Sequence, residues 1–346
     1  MTKSVLFIDA FCGEGSGSYV VSRDLAKGLP EFGWRVLTTS HAEGPGGRAL
    51  DIVRTAIARR RDYALAHISV YSGRAFLWAE MAAQAVMRTA HPFVLTLHGG
   101  RLPEFAASWP GRVRRLLGAA RAVTCPSLYL RGEMASYCDH ILEFPNPLNL
   151  GAYIFRPRTS PEPRLIWLRA FHEIYRPEHA VRVLAQVRRT YSNATLTMIG
   201  PDKNDGSLNR TVKLAGQLGV TDALQITGAV PKSKVPELLD RGDIFLNTSA
   251  VDNTPLSVLE AMASGLCVVS TNAGGLAHLL TSGEDSITSP VDDPAQMAES
   301  VLRLLADPST AAMVSCRGRQ KALCYDIRRI LPRWDDLLER TAAGKA

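Results

Sequence analysis

The sequence has no Cys-x-x-Cys pair and no cysteine–histidine spacing suited to a metal. Its six cysteines, Cys12, Cys125, Cys138, Cys267, Cys316 and Cys324, are scattered singly, which argues against a structural zinc. It also lacks any stretch near the roughly 18 consecutive apolar residues that a membrane span requires. The opening apolar segment, Val5 to Ile8, is too short for a signal peptide and is broken by Asp9, so a cytoplasmic location is expected. No RNP signature, zinc finger or aromatic-interleaved basic run is present, which puts nucleic acid last among acidic partners. No internal repeat of solenoid period and no low-complexity segment interrupts the chain. No Asp-x-Asp pair closes a strand, so no metal and no cofactor is expected.

What is present is ordinary soluble protein in bulk. The 46% hydrophobic and 21% charged content suits a globular fold, and 346 residues suit about two domains. The net charge of +7 favours acidic partners such as a nucleotide diphosphate or an anionic lipid. Arginines at Arg59 to Arg61 and at Arg112, Arg114 and Arg115 add an expectation of peripheral contact with an anionic membrane at its inner face.

Two alternating series of strand-like and helix-like segments follow one another. The first begins at Val5 and recurs near Arg35, Ala64, Phe93, Ala122 and His140. The second begins at Leu165 and recurs near Thr195, Ala223, Asp243 and Cys267. Between them, Pro145 to Pro163 holds five prolines, a boundary composition. The expected division is 1–155 as one Rossmann-like domain and 156–325 as a second. A C-terminal helix, 326–346, carries an apolar stripe from Ile327 to Leu338 and is expected to kink or break at Pro332.

The stretch from Asp243 to Gly275 is the most informative. Ile244-Phe245-Leu246 suits a buried strand, and a polar loop leads to a helix start. Asn253 or Thr254 is placed as N-cap, with Pro255 at the first helical position. Leu256, Leu259, Met262 and Ala263 give this helix an apolar face, and Gly265 ends it. Cys267 to Ser270 forms the next strand and Gly274-Gly275 the next turn. Helix starts at the carboxyl ends of parallel strands are natural anion sites. Asp252 and Glu260 flank this turn. A lone Glu on such a helix is usually solvated, but here carboxylate, helix start and Gly-Gly turn converge. That favours a ligand bearing both hydroxyls and phosphates.

The run DNTPLSVLEAMASGLCVVSTNAGG resembles the donor-site signature of the retaining glycosyltransferases of family 4. That family usually has Glu at both ends of the acidic pair, where this chain has Asp252 first. The resemblance implies a GT-B fold, two facing Rossmann-like doubly wound domains with the last helix crossing back to the first. It implies metal-independent transfer from a UDP- or GDP-linked sugar on the second domain to a glycan, lipid-linked or small-molecule acceptor on the first. Cell-surface polysaccharide or glycoconjugate synthesis is the expected setting.

Site residues are carried over from the same resemblance. His98, in LTLHGG, approaches the transferred sugar. Asp252 sits near that sugar, and Arg169 contacts the diphosphate. The Gly-rich loop with Gly15, Ser16 and Gly17 lies near acceptor and donor phosphate. Asn253, Thr254, Leu256 and Ser257 meet the diphosphate or sugar, and Glu260 the ribose. Gly200 lets the nucleotide approach, and the backbone of Val230 meets the base. Where the family has a Lys shortly after Arg169, this chain has Tyr175, with Arg176 as a candidate replacement. These departures keep two other readings open. One is a non-catalytic nucleotide-sugar binder in a glycan-synthesis complex, the other an epimerase-like enzyme acting on nucleotide sugars.

Overall fold

Among the described residues, apolar and β-branched runs of three to six residues form twelve strands. The computed structural model describes residues 3–11, 21–42 and 44–344. The chain divides into two compact units, the first made of 1–147 with 327–346 and the second of 148–326. The division falls at 147 and not at 155 because Leu148, Leu150 and Tyr153 pack into a core of the second unit with Ile166 and Phe245.

In the first unit the order is β1 (Ser4–Ile8), α1 (Ser22–Gly28), β2 (Arg35–Thr39), α2 (Pro45–Ala58), β3 (Leu65–Val70) and α3 (Arg74–Arg88). β4 (Phe93–Leu97), α4 (Leu102–Ser108), α5 (Pro110–Ala119), β5 (Ala122–Cys125), α6 (Leu128–Met134) and β6 (Ile141–Glu143) follow. The sheet runs β2-β1-β3-β4-β5-β6 and every pairing is parallel. One face carries α2 to α6 over Leu6, Ile68 and Leu95. Only helix pairs that bury both faces stabilise such a sheet, which is why its strands are near-continuously apolar.

In the second unit come β7 (Arg164–Leu168), α7 (Pro177–Val187), β8 (Thr195–Ile199), α8 (Ser207–Gln217), β9 (Leu224–Gly228) and α9 (Val235–Asp240). β10 (Ile244–Asn247), α10 (Leu256–Ser264), β11 (Cys267–Thr271), α11 (Leu276–Leu279), β12 (Ile287–Ser289), α12 (Pro294–Ala306) and α13 (Pro308–Leu323) complete it. Its sheet, also parallel, runs β12-β11-β10-β7-β8-β9. The strand order reverses at β1/β3 in the first unit and at β7/β10 in the second. Ligands bind at the carboxyl ends of such reversal points.

The last helix, α14 (Ile327–Ala342), belongs to the first unit and does not break at Pro332. Ile330, Leu331, Trp334, Leu337 and Leu338 are buried there against Val5, Phe7 and Leu29. Burial worth about 1.5–3 kcal/mol for each large apolar side chain outweighs the roughly 3 kcal/mol that a proline costs inside a helix. β12 was not legible as a strand, because ITS is short and half polar.

Candidate functional site

The second unit assembles a polar cluster at the β7/β10 reversal point. Arg169 directly follows β7, and its guanidinium donates to the carboxylate of Asp252 in the loop after β10. Burial lowers the pKa of Arg169 from the usual arginine value, and its Nε is buried without a hydrogen-bond partner among the described residues. Asp252 is fixed from two further directions, by the Asn253 N–H at 2.9 Å and the Ser249 hydroxyl at 3.3 Å. The Tyr175 ring lies against the Arg169 guanidinium, 4.8 Å from its centroid, a cation–π contact. That ring is held because Thr248 donates to the Tyr175 carbonyl at 2.6 Å and Ala250 N–H donates to the Ile174 carbonyl at 2.8 Å. So the position where a Lys was expected carries an aromatic face for the same arginine.

Arg176, the candidate replacement for that Lys, adopts a left-handed backbone, φ 46°, at the start of α7 and pairs with Asp292. The fixed partner, not the sequence neighbourhood, decides where its charge sits.

α10 starts one residue later than expected. Pro255 is the N-cap and Leu256 the first helical residue. The N–H groups of Leu256 and Ser257 are therefore free of intrahelical acceptors. Ser257 Oγ is buried and has no hydrogen-bond partner among the described residues. Asn253 and Thr254 are both buried in the same loop. Nor does α10 have a solvated face: Ser257 to Ser264 are all buried.

Glu260 shares that burial, at 2% exposure, and accepts from the ammonium of Lys232. Lys232 lies two residues beyond Val230, in a 3₁₀ turn after β9. Sequence reasoning passed over Lys232; its place just after a strand-end Gly-x-x-Pro was the available signal. Val230 packs partly buried against the core under α10.

The glycines of this region serve backbone contacts. A Cβ on Gly200, φ 146°, would stand 1.9 Å from the Arg169 carbonyl oxygen. Gly200 thus lets two strand-end loops meet. Gly275 likewise admits no Cβ, which would lie 2.0 Å from the Asn253 carbonyl oxygen, and its N–H donates to the Asp252 carbonyl at 2.8 Å. The loops after β10 and β11 are stacked backbone on backbone, which fixes Asp252 and the start of α10.

The first unit has its own polar cluster at the β1/β3 reversal point. Asp9 is buried and accepts from Ser22, from Ser69 at 2.6 Å and from the Ala10 N–H at 2.7 Å. Tyr71 reaches the same carboxylate at 3.4 Å and stacks on His98, ring centroids 5.1 Å apart. Burial pushes the Tyr71 phenol well above 10 and lowers the His98 imidazole, whose Nε2 has no partner among the described residues. Asp9 and Tyr71 gave no motif and were missed. Gly15, Ser16 and Gly17 lie outside the described residues. Among the described residues no group of three or more His, Cys, Asp or Glu is placed to hold a metal.

This pair of sheets defines the class. The fold matches sucrose-phosphate synthase from Thermosynechococcus elongatus with a TM-score of 0.84 at 17% identity, covering 99% of this chain and 100% of that one. It matches HepE of Anabaena, solved in complex with UDP and glucose, with a TM-score of 0.78 at 17% identity, covering 97% and 99%. The architecture is GT-B. Residues 156–321, within the second unit, match the family Glycosyl transferases group 1. The chain is 30% identical over 162 residues to a phosphatidylinositol N-acetylglucosaminyltransferase subunit of Arabidopsis thaliana, a match covering 46% of this chain and 33% of that protein. It is 29% identical over 171 residues to glycogen synthase of Mycobacterium tuberculosis, covering 48% and 39%. The chain thus spans little more than a third of the length of these curated relatives.

Proposed function

We propose that the protein is a retaining glycosyltransferase that takes a sugar from a nucleotide-sugar donor bound on its second unit. The observation that carries this reading is a pair of buried, unsatisfied polar atoms on one loop system. Among the described residues Arg169 Nε and Ser257 Oγ lack partners, Arg169 beside Asp252 and Ser257 where the loop from Asp252 enters α10. Buried polar groups are almost always hydrogen-bonded, so two orphans beside a free helix start point to an absent anionic partner. A donor diphosphate fits. Arg169, the Leu256 and Ser257 N–H groups and the Ser257 hydroxyl would stabilise it as it leaves. Glu260 would accept from the ribose hydroxyls, and Val230 would pass under the base. Asp252 and His98 are assigned to the transferred sugar. HepE, a structural relative, is solved with UDP and glucose, which supports the ligand class.

Transfer requires no metal in this reading, because the positive charge comes from Arg169 and the helix start. The acceptor is a glycan, lipid-linked or small-molecule hydroxyl on the first unit, in glycoconjugate synthesis within the cytoplasm. One observation favours a second reading, a non-catalytic nucleotide-sugar binder: the expected Lys is Tyr175, and Arg176 is committed to Asp292. Incubation of the protein with UDP- and GDP-sugars, in chelator, with released nucleotide quantified, separates the two. Slow donor hydrolysis or acceptor-stimulated release supports the transferase. Binding without any release supports the binder, and release only after magnesium or manganese is restored contradicts the metal-independent chemistry.

A further inference from the structure

We infer that the first unit docks on an anionic bilayer surface through the helical layer of α2, α3 and α5. The charge of this chain is segregated. The first unit, 1–147 with 327–346, contains 22 Lys and Arg against 15 Asp and Glu, the whole of the net charge of +7. The second unit, 148–326, contains 18 of each. Residues 45–134, which supply α2 to α6, hold 13 arginines and only five acids.

Pairing sharpens the contrast. In that run Arg59 and Arg112 pair with Asp62 and Glu80, while Arg54, Arg61 and Arg115 have no ion pair among the described residues. Asp51 is taken up by Thr39, Thr55 and the His41 N–H. These three arginines therefore keep their charge for solution. In the second unit Arg156, Arg164, Arg169, Arg176 and Arg210 are all paired.

The same layer exposes large apolar side chains. Its helices pack on one face of the sheet through Ile52, Phe76, Val113 and Leu116. Leu50, Arg54 and Ile57 are three or four residues apart and form one stripe of α2, which runs into Arg60 and Arg61. Leu50 is 68% exposed. α3 packs beside α2 and exposes Leu77, and exposed Trp109 precedes α5 with its Arg114 and Arg115.

Arginines alone would suit any polyanion. Arginines interleaved with exposed Leu and Trp suit a phase boundary, where the cation meets lipid phosphate and the apolar body enters the acyl region. A nucleic-acid duplex offers phosphates but no place for Leu50, Leu77 and Trp109. The inference stands independently of the proposed transfer reaction.

The test is vesicle sedimentation of the full chain, with each variant's melting followed in parallel. Vesicles of phosphatidylglycerol and phosphatidylcholine should bind it at low salt and release it at high salt, while phosphatidylcholine alone should bind poorly. Arg54→Gln/Arg61→Gln/Arg115→Gln should weaken anionic-vesicle binding about a hundredfold, roughly fivefold for each arginine. Arg182→Gln/Arg189→Gln/Lys213→Gln removes the same charge from the second unit and should leave binding within about threefold of the wild type. Leu50→Ser/Leu77→Ser should weaken it as well. Equal loss in the two triple variants would reduce the effect to net charge and overturn the assignment. So would equal binding to both vesicle types, no effect of the Leu variants, or tighter binding to a duplex oligonucleotide at the same salt.

Discussion

At the scale of single residues, the proposed donor site is built from paired charges. Arg169 faces Asp252 and Lys232 faces Glu260, so neither cation is held in reserve for a diphosphate. The ligand must share Arg169 with Asp252 or gather its stabilisation from Ser257 and the start of α10. Asp252→Ala releases Arg169 for phosphate. Titration calorimetry should therefore show nucleoside diphosphate affinity equal to or above that of the wild type, while transfer falls at least tenfold. Matching losses in both would place Asp252 in ground-state binding instead. Lys232 tests the other pair. Lys232→Met leaves Glu260 buried and without its ammonium, so denaturant unfolding should show a loss of about 1–3 kcal/mol. Adding Glu260→Gln should recover most of it, and additive losses would show that the two side chains are not coupled.

A third residue reports on the first unit. Burial drives the His67 imidazole down to about 3, with its Nε2 against Thr96 at 2.7 Å. Above about pH 6.5 the group is neutral folded and unfolded, and its contribution is complete. As pH falls from there towards 3, only the unfolded chain takes the proton, so stability declines by up to about 1.4 kcal/mol per pH unit. Burial of His98 acts in the same direction. Urea unfolding at several pH values between 7.5 and 4.5 should give a shallower decline for His67→Gln than for the wild type. Parallel declines would show that His67 does not titrate as described.

At the scale of elements, much was legible and the reasons for the rest are specific. The strand-loop-helix order around Asp252 and Glu260 reads directly from residue types, because buried parallel strands need apolar runs and their loops need Gly and Pro. The partners do not read. Arg169 and Asp252 are 83 positions apart, and no local rule joins them. Nor does the backbone contact between Gly200 and the Arg169 carbonyl read from either segment alone. α14 shows the converse, a local rule overruled by burial at Pro332. Its anchor is Trp334, 2% exposed against Phe144 and His67. Trp334→Ala should cost about 3–5 kcal/mol in chemical unfolding, and Trp334→Phe less than about 1.5. An alanine variant as stable as the wild type would mean that α14 is not held by this contact.

At the scale of the whole molecule, two units share an architecture and divide the chemistry. The second is electrically neutral, tightly paired and carries the group 1 glycosyltransferase match. The first carries all the excess charge and a separate polar cluster of Asp9, Tyr71 and His98. That division was hidden in the sequence total and emerges only once the unit boundary is known. No helix among the described residues is long and apolar enough to cross a membrane.

The central claim is that the second unit holds a nucleoside diphosphate between Arg169, the start of α10 and Glu260. Titration calorimetry tests it most directly, using whichever of UDP, GDP and ADP raises the melting temperature most. Glu260→Gln keeps the shape and the helix but loses charge-assisted acceptance from the ribose. Its affinity should fall by about 1–2 kcal/mol, roughly five- to thirtyfold, with a cooperative melt retained. A folded Glu260→Gln protein that binds the nucleotide as tightly as the wild type would contradict the account.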